Sequence, residues 1–261
     1  MRCKKRFLSV LAWAAMGCAS NGAYAASETA AEAVQTPAEL PAAEQFRLAR
    51  AYYTGEGVTQ DHSRAREMFA SLAERGMAQA QYLYAYMLLF GQGGERNPEE
   101  GMSQLRLAVV GRNAAATALL GDLYRRGQEV PQDNRKAAQF YRIAADQGHA
   151  AAQYALAALY NRGSGVAEDP AEAAMWFSRA AAQGFAPAMR SLAALYFNGR
   201  GVTRDPARAY AWLELAQRNL PEGSSGHEAV IQIRDRLEAR LNPEDLDEAN
   251  VFVEGWTANT E

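Results

Sequence analysis

Apolar residues recur along this chain at intervals of four, and the whole pattern restarts every 36 residues. Ala80, Tyr84 and Leu88 form one stripe, and Ala116, Leu120 and Tyr124 form the next. Ala152, Leu156, Tyr160 and then Ala188, Leu192, Tyr196 follow in the same register. Spacing at i, i+4, i+8 is one face of an α-helix. Three residues past each stripe stands a glycine, at Gly55, Gly91, Gly127, Gly163 and Gly199. It marks a helix end, because a left-handed backbone costs glycine little. A second helix is predicted from Phe69, Leu105, Tyr141, Phe177 and Leu213, beside Met68, Phe140, Trp176 and Trp212. Its start is marked by Asp61, Asn97, Asp133, Asp169 and Asp205, followed in three units by Pro98, Pro170 and Pro206. A side-chain acceptor before a proline is a strong helix-start signal. The closing glycines are read as Gly76, Gly111, Gly148 and Gly184. Single helices of this length are marginal, so the stripes must be buried by stacking one unit on the next. The small residues Ala49, Ala85, Gly121, Ala157 and Ala193 permit that approach.

The loops repeat almost verbatim. LYNRGSGVAEDP, from Leu159 to Pro170, returns as LYFNGRGVTRDP from Leu195 to Pro206. Val58, Val130, Val166 and Val202 read as apolar plugs under these turns. The second unit departs: GQGGERNP puts Gly94 in the valine's place, Gly101 replaces an alanine, and GRN displaces the closing glycine. Past NLPEGSSG, residues 227–241 predict an amphipathic helix, and Asn242-Pro243 opens another towards Trp256. Such a polar terminal pair fits the cap a repeat array needs.

The fourth unit runs Ala152, Leu156, Tyr160, Gly163, Gly165, Val166, Asp169, Ala173, Trp176, Phe177, Ala180, Ala181, Gly184. It resembles the Sel1-like repeat, a relative of the tetratricopeptide repeat. The resemblance implies an all-α fold, a right-handed α-solenoid of helix-turn-helix repeats with C-terminal capping helices. Five units of 36 residues are expected over 43–220, with a cap over 227–256. Many bacterial relatives brace each helix pair with cysteines; here the two cysteines, Cys3 and Cys18, both lie in the leader.

That leader changes the picture of location. MRCKKR is a basic n-region, FLSVLAWAAMG an apolar h-region, and Ala23-Tyr24-Ala25 offers small residues for cleavage. Residues 1–25 are expected to be a signal peptide and the protein to be exported to the periplasm, without disulfides after cleavage. The apolar run is about half the ~20 residues a membrane span requires. Ala15-Met16-Gly17-Cys18 resembles a lipobox with alanine in the usual leucine position, so a lipid anchor at Cys18 is the alternative. Residues 26–42 are small, acidic and free of aromatics, and read as a flexible linker. Removing the four basic residues of the leader leaves 23 basic and 30 acidic residues, a balance of −7. Dispersed arginines on an acidic body argue against nucleic acid, which needs a basic stripe.

Candidate chemistry is sparse. His62, His149 and His227 have no partners at ligand spacing, so no metal and no cofactor is expected. Gly163-Ser164-Gly165 lacks the strand–turn–helix setting of a nucleophile elbow, and other units place Glu56, Gln92, Gln128 or Arg200 at Ser164. What remains is a protein-binding surface, with no catalytic function expected. Concave faces of helix-pair arrays present the first helix of each unit, where positions not needed for packing vary. One such row is Arg50, Tyr86, Asp122, Ala158, Ala194; another is Thr54, Phe90, Arg126, Arg162, Asn198. Partner-binding candidates are Arg50, Tyr82, Tyr86, Phe90, Asp122, Arg126, Arg162 and Asn198, since aromatic and arginine anchors dominate interfaces. Tyr82, Tyr86 and Phe90 have a second reading, as extra core for the irregular second unit. The family resemblance implies a scaffold in envelope assembly, signalling or exopolysaccharide export. It also implies a different class, cell-wall binding or β-lactam binding and hydrolysis, proposed for some cysteine-rich relatives.

Overall fold

The computed structural model describes residues 40–256. The signal-peptide reading, and nearly all of the linker, lie outside these residues. The described chain is twelve α-helices and, among these residues, no strand: α1 (Ala42–Thr54), α2 (His62–Glu74), α3 (Ala78–Phe90), α4 (Pro98–Val110), α5 (Ala114–Arg126), α6 (Asn134–Asp146), α7 (Ala150–Arg162), α8 (Pro170–Ala182), α9 (Ala186–Asn198), α10 (Pro206–Arg218), α11 (Ser225–Glu238) and α12 (Pro243–Gly255). Helices α1 to α10 pair as helix-turn-helix units, and the second helix of each unit packs on the first helix of the next. The result is an α-solenoid.

One loop design serves all five units. Gly55, Gly91, Gly127, Gly163 and Gly199 end the first helices in the left-handed conformation, at φ between 63° and 77°. The residue expected to cap the second helix does so: Asp61, Asn97, Asp133, Asp169 and Asp205 each accept a backbone N–H of the first turn. The same residue's own N–H donates back to the first helix, to the carbonyls of Tyr52, Leu88, Tyr124, Tyr160 and Tyr196, at 2.9–3.0 Å. One residue therefore satisfies an orphan donor of one helix and an orphan acceptor of the other. The stripes are core: Phe69, Leu105, Tyr141, Phe177 and Leu213 are all buried, as are Ala49, Ala85, Gly121, Ala157 and Ala193.

Stacking is set by the second glycine of each loop. A β-carbon on Gly93, Gly165 or Gly201 would lie 2.1–2.3 Å from backbone of His62, Asn134 or Pro170, the first residue of the previous unit's second helix. Gly57, with no preceding unit among the described residues, is also left-handed, at φ 76°, and such a carbon would meet nothing described within 4 Å. The third unit has Glu129 here, held at φ 59° and paired with Arg96 at 2.5 Å.

The junction between units two and three is irregular in several ways at once. Gly111, expected to close α4, sits at φ −71°, and the left-handed residue is Arg112 at φ 58°. Gly111 is needed for another reason: a β-carbon there would stand 2.6 Å from that of Ala78. Buried Gln81 and Gln153 bridge neighbouring units by donating to the carbonyls of Ala73 and Ala145. Thr117, in the same position, is too short and bonds Asn113 in its own unit. Accordingly α4 and α5 pack less extensively than α2–α3, α6–α7 or α8–α9, and the buried residues fall into three clusters rather than one.

At the C-terminus the loop over residues 219–226 is shorter than expected. Ser224 caps α11 by accepting the His227 N–H, so the helix begins at Ser225. Asn242 caps α12 as predicted. Both helices pack on α10, instead of mainly on each other as a repeat pair does. Trp212 meets Phe252 and Trp256 there, at ring-centroid distances of 5.4 and 6.5 Å.

Candidate functional site

The first helices carry the candidate residues on their uncommitted faces. On α3 the i, i+4, i+8 spacing places Tyr82, Tyr86 and Phe90 in a continuous aromatic strip, with centroids 6.5 and 4.5 Å apart. Tyr82 and Tyr86 are half-buried and Phe90 is 43% exposed, so the strip is not simply core. Burial raises the Tyr82 pKa, with smaller contributions from Tyr86 and Tyr53, so its hydroxyl stays protonated. The far end of the strip opens on a cleft of about 290 Å³, lined by Phe90, Leu89, Leu123, Gln128 and the Arg96–Glu129 pair. This cleft lies at the irregular junction.

The other candidates divide. Arg50, Arg126 and Arg162 are exposed, with no side-chain partner among the described residues. Asn198 is turned back on its own helix, donating to the Ala194 carbonyl at 2.8 Å. Asp122 is engaged inside its unit: it accepts the Tyr141 hydroxyl at 2.8 Å and pairs with Arg125 at 3.1 Å, and Arg125 also donates to Tyr141. Burial first, and then the bond to Asp122, drive the Tyr141 pKa well upward. This triad ties α5 to α6 through one carboxylate oxygen of Asp122, whose side chain is still 40% exposed.

The histidines are structural in setting. His149 caps α7, its Nδ1 accepting the Ala152 N–H at 3.2 Å, and burial lowers its pKa. His62 stacks on Tyr53 at 5.3 Å. Among the described residues no three His, Cys, Asp or Glu side chains gather as a metal ion would need, and no helix is long and apolar enough to cross a membrane.

One groove was only partly anticipated from the sequence: the candidate Asn198 and the variable position Ala194 line it. Helices α9, α10 and α11 enclose an open groove of about 600 Å³, floored by Ala193, Leu213 and Leu237 and edged by Arg190, Arg236 and Arg240. Arg190 stands four residues before Ala194, on the same face, and that spacing was the available signal. The contribution of α11 was hidden because its charges read as an ordinary solvated cap.

These features define a solenoid of helix pairs. The chain belongs to the Sel1 repeat family: its model matches residues 45–77, 78–108, 114–149, 150–185 and 186–216. The fold is similar to that of a Sel1 repeat protein from Oxalobacter formigenes, at TM-score 0.67 and 25% identity, covering 87% of this chain and 90% of that one. It also resembles c5321, a protective antigen of uropathogenic Escherichia coli strains with an SLR fold, at TM-score 0.51 and 27% identity, over 82% and 53% of the two chains. In sequence, 111 residues are 36% identical to the alginate biosynthesis protein AlgK of Azotobacter vinelandii, 42% of this chain and 24% of that one. The chain thus spans only about a quarter of AlgK.

Proposed function

We propose that this protein is a non-catalytic adaptor of the bacterial cell envelope, exported by residues 1–25, which binds a protein partner along the first helices of its repeats. The observation that carries this reading is the Tyr82–Tyr86–Phe90 strip: Tyr82 packs against the core shared by units two and three, while Tyr86 and Phe90 extend from it as an aromatic surface partly open to solvent. Aromatic and arginine side chains are the usual anchors of interfaces, and Arg126 is exposed on the first helix of the following unit. The identity to AlgK, a protein of alginate biosynthesis, supports service in exopolysaccharide export. Of the export alternatives, the soluble periplasmic form is preferred over an anchor at Cys18, for the lipobox lacks its usual leucine.

Cross-linking in intact cells, followed by mass spectrometry of captured proteins, tests the reading. Tyr86→Ala and Arg126→Ala should each weaken capture about thirtyfold while circular dichroism stays that of the wild type. Capture that survives both changes, yet is lost on altering the tail around Trp256, would move the binding element to the C-terminus.

A further inference from the structure

The groove between α9 and α11 differs from the rest of the surface in charge. Elsewhere the arginines are mostly engaged: Arg96 with Glu129, Arg200 with Glu168, Arg234 with Glu214 and Asp235, and Arg142 with Glu172 and the Tyr160 hydroxyl. Arg190, Arg236 and Arg240 are exposed, and their side chains have no hydrogen-bond or ion-pair partner among the described residues. They converge on one groove from α9, α11 and the turn that follows α11, and no carboxylate lines it. On a body with a balance of −7, three unpaired cations around one concavity form a local reversal of sign.

The floor narrows the class of ligand. Ala193, Leu213 and Leu237 are buried beneath it, and Ile233 is 45% exposed at its edge. A volume of about 600 Å³ is in the ordinary range for a specific pocket, roughly 300–1,000 Å³. Small inorganic anions have no use for an aliphatic floor. Sugar acids prefer flat aromatic platforms, and Phe197 is the sole aromatic lining residue. A peptide carrying apolar side chains flanked by carboxylates uses both features.

We propose that this groove seats a short acidic amphipathic segment of a partner protein, its apolar side chains on Leu213, Ile233 and Leu237 and its carboxylates on Arg190, Arg236 and Arg240. The inference rests on the protein-binding reading above and gives the partner a chemistry. Charge complementarity at such a site sets specificity and speed of encounter, and the aliphatic floor supplies the burial.

The test uses the full chain and a fluorescein-labelled helix-forming peptide with leucines at i, i+3, i+4 and i+7 and glutamates beside them. Anisotropy should report saturable binding that weakens as salt is raised. The same peptide with every Glu changed to Gln should bind about tenfold more weakly, as should the wild-type peptide to the Arg236→Gln/Arg240→Gln variant. The Gln peptide needs no altered protein, so the test does not depend on that variant folding. Equal binding of the Glu and Gln peptides would overturn the proposal. So would an acidic uronate oligomer that binds the groove more tightly than the peptide. A concentration-dependent dimer in sedimentation, abolished by Arg236→Gln/Arg240→Gln, would give the groove to a second copy and likewise overturn it. Tyr86→Ala should leave peptide binding intact. If partner capture in cells is insensitive to Tyr86 while the peptide still binds, the strip reading fails and this one stands.

Discussion

Replacing Gly201 with alanine should break the stack between units four and five, and the structure supplies its own control. Gly201 has φ 73°, and a β-carbon there would lie 2.1 Å from the Pro170 carbonyl oxygen and 2.2 Å from its carbon. Gly57 has φ 76° in the same loop of the first unit, with nothing described within 4 Å. Alanine in the left-handed region costs about 1–2 kcal/mol, offset by roughly 0.4–1 kcal/mol because the unfolded chain also loses freedom. Gly57→Ala should therefore cost about 0.5–1 kcal/mol. Gly201→Ala carries the same penalty plus that of forcing packed elements apart, about 1–3 kcal/mol. The obstacle is backbone at the start of α8, so no side chain can rotate out of the way. Urea unfolding followed by far-UV circular dichroism and tryptophan fluorescence reads the difference. Trp176 lies in α8 and Trp212 in α10, on either side of the affected junction. Fluorescence should report α10 onwards melting early in Gly201→Ala, since neighbouring repeats are held by nearest-neighbour contacts. Equal losses in the two variants would show that loop conformation, not the approach of units, makes this glycine necessary.

Trp176→Ala empties a site that is 1% exposed and should cost about 3–5 kcal/mol in the same assay, whereas Arg162→Ala, exposed and unpartnered, should stay within about 0.5 kcal/mol. Arg112→Gly should stabilise the protein by about 0.5–1 kcal/mol, because it releases a side chain from φ 58° at a modest entropic cost; a lower melting temperature would contradict the strain assigned to it. The His149 pKa is lowered by burial, partly opposed by the charge of Asp122. The unfolded chain then takes up a proton more readily than the folded one, so stability should fall as pH drops below the ordinary histidine value of about 6.5 and be insensitive to this group above it. His149→Asn, which copies the Asn113 cap of the preceding junction, should reduce the loss of melting temperature between pH 7 and pH 5.

The period of 36 made the helices legible, because each boundary is written locally: a capping acid, a proline, a glycine after the last apolar residue. Legibility failed where one residue substitutes for another's conformation. Nothing in QEV announces that Glu129 adopts the left-handed state that glycine holds in other units, and Gly111 looked like the closing residue while Arg112 does that work. Pairing across helices was equally hidden. Asp122 reads as a variable surface position, yet Tyr141, 19 residues on, delivers its hydroxyl to it. The groove at α11 needed three helices to meet, and spacing within any one of them reveals only a share of it.

The second unit ties these departures together. Its second helix has Gln104 where other units have Met68, Phe140, Trp176 and Trp212, and the Gln104 Oε1 is buried with no partner among the described residues. It lacks the valine plug, and the junction that follows lacks the bridging glutamine and the stacking glycine of its neighbours. Tyr82 does pack against the core of units two and three, but were Tyr86 and Phe90 also only compensation for this poor core, they would be drawn into it, as Phe69 and Phe177 are in their own units. Instead Tyr86 is half-buried and Phe90 ends the strip at 43% exposure over a cleft. If the strip binds a partner as proposed, the less extensively packed junction gives up stability for an apolar surface beside Phe90. That is the pattern expected where a local rule of folding yields to binding.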